Sequence, residues 1–195
     1  MSIEYTDLQL DALRELANIG SGKASTALSM LLGRAVDISV PTARALSFAD
    51  AVEAAGDYEQ EITGIVLGIV GDLEGVVLLL VTPSDADTVC SLLGVEPGSV
   101  YAPSALGEVG NIVGSSYINA LAMMTGMEIE PTPPGLTTDM LAAIVESVLA
   151  QRATGGDVAL LLDSDMVVEG EDCSVSFLLV PDQGGVEQLL ARLGL

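Results

Sequence analysis

A pattern of Asp11, Glu15, Asn18 and Pro41, with three, two and twenty-two residues between successive members, recurs 93 positions later as Ser104, Glu108, Asn111 and Pro134. The copies also agree at Ala27/Ala120, Leu28/Leu121 and Gly33/Gly126, all at that same offset. Self-similarity at a fixed offset marks one structural unit used twice. The chain is therefore expected to be a single domain over 1–195 made of two related repeats, about 6–95 and 100–195, each with its own candidate site.

Wound onto a helix at roughly 100° per residue, Asp11, Glu15 and Asn18 share a stripe roughly 60° wide, which Ser25 and Ser29 continue. Leu13, Leu16, Ala17, Ala24, Ala27 and Leu31 fall opposite. In the second copy Glu108, Asn111, Ser115 and Ala122 make the stripe, and Leu106, Val109, Val113, Tyr117, Ala120 and Met124 take the far side. A Glu and an Asn on the outer face of an amphipathic helix are usually plain solvated residues. Asn is nevertheless a mediocre helix former, because its amide competes for backbone hydrogen bonds, so its recurrence wants a reason. Gly20 and Gly22 follow Asn18, and Gly114, Ser115 and Ser116 follow Asn111. Each Gly costs about 1 kcal/mol in a helix interior relative to Ala, and the expected return is a stripe along which a partner's backbone docks closely.

These spaced residues, with Asp or Ser first and Pro last, resemble the signature of the CheC, CheX and FliY family of chemotaxis phosphatases, and the doubled arrangement resembles its CheC branch. That resemblance implies an α+β fold and action on the aspartyl phosphate of a CheY-like response regulator. It assigns Glu15, Asn18, Glu108 and Asn111 as catalytic and Asp11, Ser104, Pro41 and Pro134 as supporting. In the implied chemistry Asn18 or Asn111 places a water for in-line attack, as a glutamine does in GTPases, and Glu15 or Glu108 makes a charge-assisted contact to the regulator's lysine. The chain would need no cofactor or metal of its own, since the Mg2+ belongs to the regulator. Two further readings stay open: an adaptor that binds the regulator or the flagellar or archaellar switch without hydrolysis, and a regulatory partner of the receptor deamidase CheD.

The residue inventory agrees with a phosphatase that only positions water. With no His, one Lys and two distant Cys, His triads, His-containing zinc sites and Cys-x-x-Cys redox motifs are excluded. Gly20-Ser21-Gly22-Lys23 imitates the end of a phosphate loop, but Ala24 stands where Ser or Thr is required. Six Lys and Arg against 28 Asp and Glu give a net charge of -22, while half the residues are hydrophobic. This describes a core-forming chain that repels nucleic acid. Scarce lysine among so many carboxylates also fits a halophile's salt-rich cytoplasm, where a short Debye length removes most self-repulsion.

The apolar stretch from Ile62 to Val81 is broken by Gly71-Asp72-Leu73-Glu74-Gly75. Two carboxylates at the centre argue against a membrane span, and a β-hairpin fits better. Met1-Ser2-Ile3-Glu4 is neither basic nor followed by an apolar run, which makes the cytoplasm the expected location. Cys90 and Cys173 are expected as buried thiols.

In the first half the pattern predicts a helix from a Thr6/Gln9 capping box to about Gly33, a strand over 36–40, a short helix over 48–55, the hairpin, and a helix from Pro83 to about Gly94. In the second it predicts a helix over about 104–125, a strand over 127–130, a helix over 139–151, a hairpin over 158–180 and a helix over 182–193. Ser104 could instead be an N-cap. The offset grows from 93 to 98 by Pro83/Pro181, which predicts an insertion between strand and hairpin in the second half, and the more elaborated site surroundings there. The predicted fold is α+β, an about six-stranded, mostly antiparallel sheet with pseudo-two-fold symmetry and two long helices packed on it.

Overall fold

The computed structural model describes residues 5–150, 158–168 and 171–195. The capping box is formed: the backbone N–H of Gln9 donates to Thr6 Oγ1 at 3.3 Å, and that of Thr6 to Gln9 Oε1 at 2.9 Å. From it α1 runs over Asp7–Leu32 and ends on Gly33, whose φ of 65° is the left-handed conformation that stops a helix. Then follow β1 (Val36–Ser47), α2 (Phe48–Ala55), β2 (Glu61–Gly71), β3 (Gly75–Val81) and α3 (Pro83–Leu92). The second half supplies α4 (Ala102–Thr125), β4 (Ile129–Pro131), β5 (Gly135–Met140), α5 (Leu141–Ala150), β6 (Val158–Val168), β7 (Glu171–Pro181) and α6 (Gly185–Arg192). Gly126, 93 residues after Gly33, ends α4 with φ 67°.

Among the described residues the strands form one sheet of seven, in the order β1-β6-β7-β3-β2-β4, with β5 also paired to β2. Every pairing is antiparallel. The offset reaches 100 at the ends of β3 and β7, so Pro181 corresponds to Val81 and not, as the sequence suggested, to Pro83. Counted back from these ends, Leu78 corresponds to Leu178, and these two residues lie opposite each other at the β3–β7 pairing. The pseudo-two-fold axis passes between them. On one side β1 pairs with β6; on the other β4 and β5 pair with β2.

Both faces of the sheet are covered, and that accounts for the unbroken apolar run of β3. Val77, Leu79 and Val81 join a core with α1, α3, α4 and α6, while Val76, Leu78 and Leu80 join a second core under α2 and α5. Alternation by face in a strand buried on both sides leaves no polar position. Near the centre of the first core the rings of Tyr117 and Phe177 lie 4.2 Å apart. Gly71 closes the β2–β3 hairpin at φ 121°, and a Cβ there would strike the carbonyl oxygen of Glu128. Among the described residues no helix is long and apolar enough to cross a membrane.

Several expectations need correction. Among the described residues the sheet has seven strands and not about six, because Gly135–Met140 is a strand as well. Its residues are nearly all exposed at the sheet margin, so the alternation that betrays a half-buried strand is absent. Shifting β1 by 93 maps Val36–Ser47 onto 129–140, which is the span of β4 and β5 together. The first strand thus does not stop at Val40: Pro41 falls within β1, at a register irregularity between Ser39 and Thr42. An edge strand tolerates a residue that cannot donate to the ladder. In the second copy the equivalent Pro134 lies between β4 and β5. The helix predicted over 139–151 begins at Leu141, and Gln151 lies outside the described residues. The offset is still 93 at the starts of α2 and α5 and becomes 97 at the starts of β2 and β6. The insertion therefore enters after α5 begins, and residues 151–157, where the more elaborated surroundings were expected, lie outside the described residues.

Cys90 and Cys173 are both buried, at 1% and 3% exposure. Desolvation, and secondarily the Asp87 carboxylate, raises the Cys90 pKa above the ordinary thiol value. A thiolate reagent at mildly alkaline pH is expected to leave the folded chain unlabelled and to modify both residues in denaturant. Labelling of the native protein at the rate of a free thiol would contradict this packing.

Candidate functional site

The site is built on α1 and α4, which pack against each other on one face of the sheet. Their contact is close because a residue without a side chain sits at it: a Cβ on Gly20 would lie 2.7 Å from Cδ1 of Tyr117. Helix α4 presses onto the sheet by the same means. Gly110 faces Ile65 and Gly114 faces Leu67, with hypothetical Cβ distances of 2.5 and 2.9 Å, and Gly107 meets Leu136 at 3.2 Å. The small residues beside Asn18 and Asn111 were expected to admit a partner's backbone. Gly20 and Gly114 instead admit this chain's own core, and Gly22 alone of the three has open space around it.

Leu13, Leu16 and Ala17 bury one side of α1, and Leu106, Val109 and Val113 one side of α4. What is left outward is the predicted face. Asp11, Glu15 and Asn18 are exposed, as are Ser104 and Glu108, whereas Asn111 is half-buried. Leu31, expected on the buried side, is 44% exposed at the last turn of α1.

Farther along α1 the stripe does not stay in water. The Val36 N–H donates to Ser29 Oγ at 2.9 Å and the Ile38 N–H to Ser25 Oγ at 3.0 Å. Strand β1 is a sheet edge, and these two hydroxyls satisfy backbone donors that would otherwise lack a partner. Ser25 and Ser29 therefore cap the edge, and the outward face narrows to Asp11, Glu15, Asn18 and Gly22.

The two faces differ in detail. Asp11 is bound by Arg14 Nη2 at 2.8 Å, an exposed ion pair of the kind that contributes little to stability. Ser104 stands in its place on α4 and is not an N-cap: α4 starts at Ala102 after Tyr101, which puts Ser104 third in the helix. Ser115 Oγ donates to Asn111 Oδ1 at 3.3 Å, holding that carboxamide, and the first copy has Gly22 at the corresponding position. Ser21 Oγ donates to the backbone carbonyl of Asn18 and leaves its side chain untouched. Pro134 is half-buried between β4 and β5; of Pro41 only its place in β1 is described.

None of the four Glu and Asn side chains lines the larger hollows among the described residues. A hollow of about 590 Å³ lies between β2, β4–β5 and α5, and another of about 500 Å³ between α3, the start of α4 and β5, and neither includes these residues. Among the described residues no group of three or more Asp, Glu or Cys side chains could hold a metal ion. Small-molecule sites are concave and mostly apolar. An exposed helix face with one carboxylate and one carboxamide can instead contact a macromolecule, accept a cation's hydrogen bonds and hold a water.

The model of the CheC-like family matches residues 8–43 and 102–137, two ranges that enclose every member of the repeated pattern. The chain is 30% identical over 196 residues to the CheY-P phosphatase CheC of Bacillus subtilis (strain 168), covering 95% of this chain and 94% of that one. In fold it is similar to Thermotoga maritima FliY, with a TM-score of 0.81, 21% identity and 98% of each chain covered. It is also similar to a chain of the CheX-CheY-BeF3-Mg+2 complex from Borrelia burgdorferi, with a TM-score of 0.52, 16% identity, and 87% of this chain and 97% of that one covered.

Proposed function

This chain belongs to the CheC-like family, and from that premise we propose that it is a phosphatase for the aspartyl phosphate of a CheY-like response regulator in cytoplasmic chemotaxis signalling. The observation that carries the reading is the pair of Glu/Asn faces, Glu15 with Asn18 and Glu108 with the half-buried Asn111, on the outer side of two packed helices and apart from the two hollows described above. A substrate that is itself a folded protein needs such a convex site. It also accounts for the lack of His, since the acyl phosphate arrives beside the regulator's own lysine and divalent ion.

In the proposed reaction the regulator docks with its lysine against Glu15 or Glu108. The carboxamide oxygen of Asn18 or Asn111 accepts a hydrogen bond from a water, and its NH2 group donates to the same water or to a phosphoryl oxygen. Water oxygen attacks phosphorus, the bond from phosphorus to the aspartyl oxygen breaks, and inorganic phosphate and a carboxylate result with a proton lost to solvent. The chain contributes placement, which converts a random encounter into an aligned one.

The reading is tested by adding the chain to a CheY-like regulator phosphorylated in Mg2+ and following phosphate release. Faster release is expected, and a chain that binds the regulator without speeding release would be an adaptor. Replacing both Glu15 and Glu108 by Ala is expected to raise KM roughly tenfold or more, because a hydrogen bond to a charged group is worth about 1.5–3 kcal/mol. An unchanged KM would remove the assigned role of the carboxylates.

A further inference from the structure

Leu8 and Tyr101 are 93 positions apart, and both are large apolar side chains left in water, 65% and 71% exposed. Each precedes its motif glutamate by seven residues, roughly 10 Å along the helix and 20° around it. Tyr101 stands at the start of α4 with helical backbone angles, and its side chain makes no capping hydrogen bond. Neither the core nor the helix terminus uses it. Val100 beside it is 85% exposed and extends the apolar patch. At the first site Asp7 occupies the position of Val100, and the Asp11–Arg14 pair occupies the positions of Ser104 and Gly107.

We propose that Tyr101 and Val100 are an apolar anchor for the response regulator at the second site, with Leu8 their smaller counterpart at the first, an inference that rests on the phosphatase reading above. By helical spacing the patch lies about two turns from Glu108 on the same side of α4, so a globular protein that brings a lysine to Glu108 lies over it. Tyr is suited to the task, being a rigid amphipathic side chain enriched in the buried centre of interfaces. The regulator must accordingly present an apolar side chain roughly 10 Å from its lysine. The two sites then hold one kind of partner by different forces. Burial dominates at the second, and charge dominates at the first, where Asp7, Asp11, Arg14 and Glu15 crowd two turns.

Salt separates the two, since the screening length falls from about 10 Å at 0.1 M to about 3 Å at 1 M. In Asn18→Ala only the second site is intact, and in Asn111→Ala only the first. Across that range the KM of Asn111→Ala for the phosphorylated regulator is expected to rise severalfold and that of Asn18→Ala, which keeps the Glu108 contact but leans on burial, to rise distinctly less. Adding Tyr101→Ser to Asn18→Ala is expected to raise KM roughly tenfold, the loss typical of a truncated interface anchor, with the change falling on KM and not on kcat. The Tyr101 side chain makes no capping hydrogen bond, so the helix start loses nothing by the change. Val167→Ser, at a residue 37% exposed on the sheet face away from α1 and α4, is the control and leaves KM alone. Equal salt profiles, or a Tyr101→Ser KM no different from its Asn18→Ala parent, overturn the anchor while the phosphatase reading stands. If the wild-type chain releases no phosphate from the regulator, that reading falls and the anchor with it.

Discussion

Replacing Asn18 and Asn111 together by Ala is expected to lower phosphate release at saturating regulator by roughly 100-fold or more, the loss that follows when a reacting group is misplaced by about 1 Å. The floor is the regulator's own spontaneous hydrolysis, which proceeds without this chain. Binding should survive, since Glu15 and Glu108 remain, so the defect belongs to kcat. The substitution is also mild for the fold. Asn18 is exposed, its side chain has no partner whose loss would leave a buried group unsatisfied, and Ala is the better helix former. Asn111 forfeits only the contact from Ser115. A double variant that folds, binds and fails to hydrolyse would separate positioning from docking.

The largest effect on stability is expected at a glycine. Gly110→Val would drive a branched side chain into Ile65, whose Cγ2 lies 2.5 Å from where a Cβ would stand. Overpacking of this kind typically costs 1–3 kcal/mol, and at about 2–4 °C per kcal/mol for a chain of this size the melting temperature should fall by roughly 5–10 °C. Because Gly110 precedes Asn111, lifting α4 from β2 should also impair the second site more than the first. Gly22→Ala is expected to act oppositely. That glycine is helical, exposed and surrounded by open space, so removing its conformational freedom should stabilise the chain by about 0.5–1 kcal/mol. Thermal unfolding of both variants checks the pair, and a destabilised Gly22→Ala or a neutral Gly110→Val would contradict the packing of these helices.

The contrast between those two glycines shows what the sequence could disclose. Helix faces were legible because burial repeats every 3.6 residues: Leu13, Leu16 and Ala17 turn inward and Glu15 and Asn18 outward as the spacing implies. The repeat was legible too, and with it the pairing of two equivalent faces. Periodicity does not say what a small residue is small for. Gly20 and Gly114 lie against Tyr117 and Leu67, contacts that depend on how two distant segments meet. Ser25 and Ser29 followed the polar stripe in angle, yet their hydroxyls meet backbone donors of an edge strand whose position no local pattern reveals. Strand β5 escaped for a related reason, since a strand exposed at the sheet margin carries no alternation. Leu8 and Tyr101 were within reach, because the offset that revealed the motif also relates them; only their exposure had to be added.

The role of the two faces is open to a single measurement: phosphate release from one phosphorylated CheY-like regulator by the wild-type chain, by Asn18→Ala, by Asn111→Ala and by the double variant, all at saturating regulator. Each single variant should keep part of the acceleration, the two parts should sum to the wild-type value, and the double variant should release phosphate no faster than the regulator alone. A double variant as fast as the wild type would show that the carboxamides of Asn18 and Asn111 are not where the water is placed.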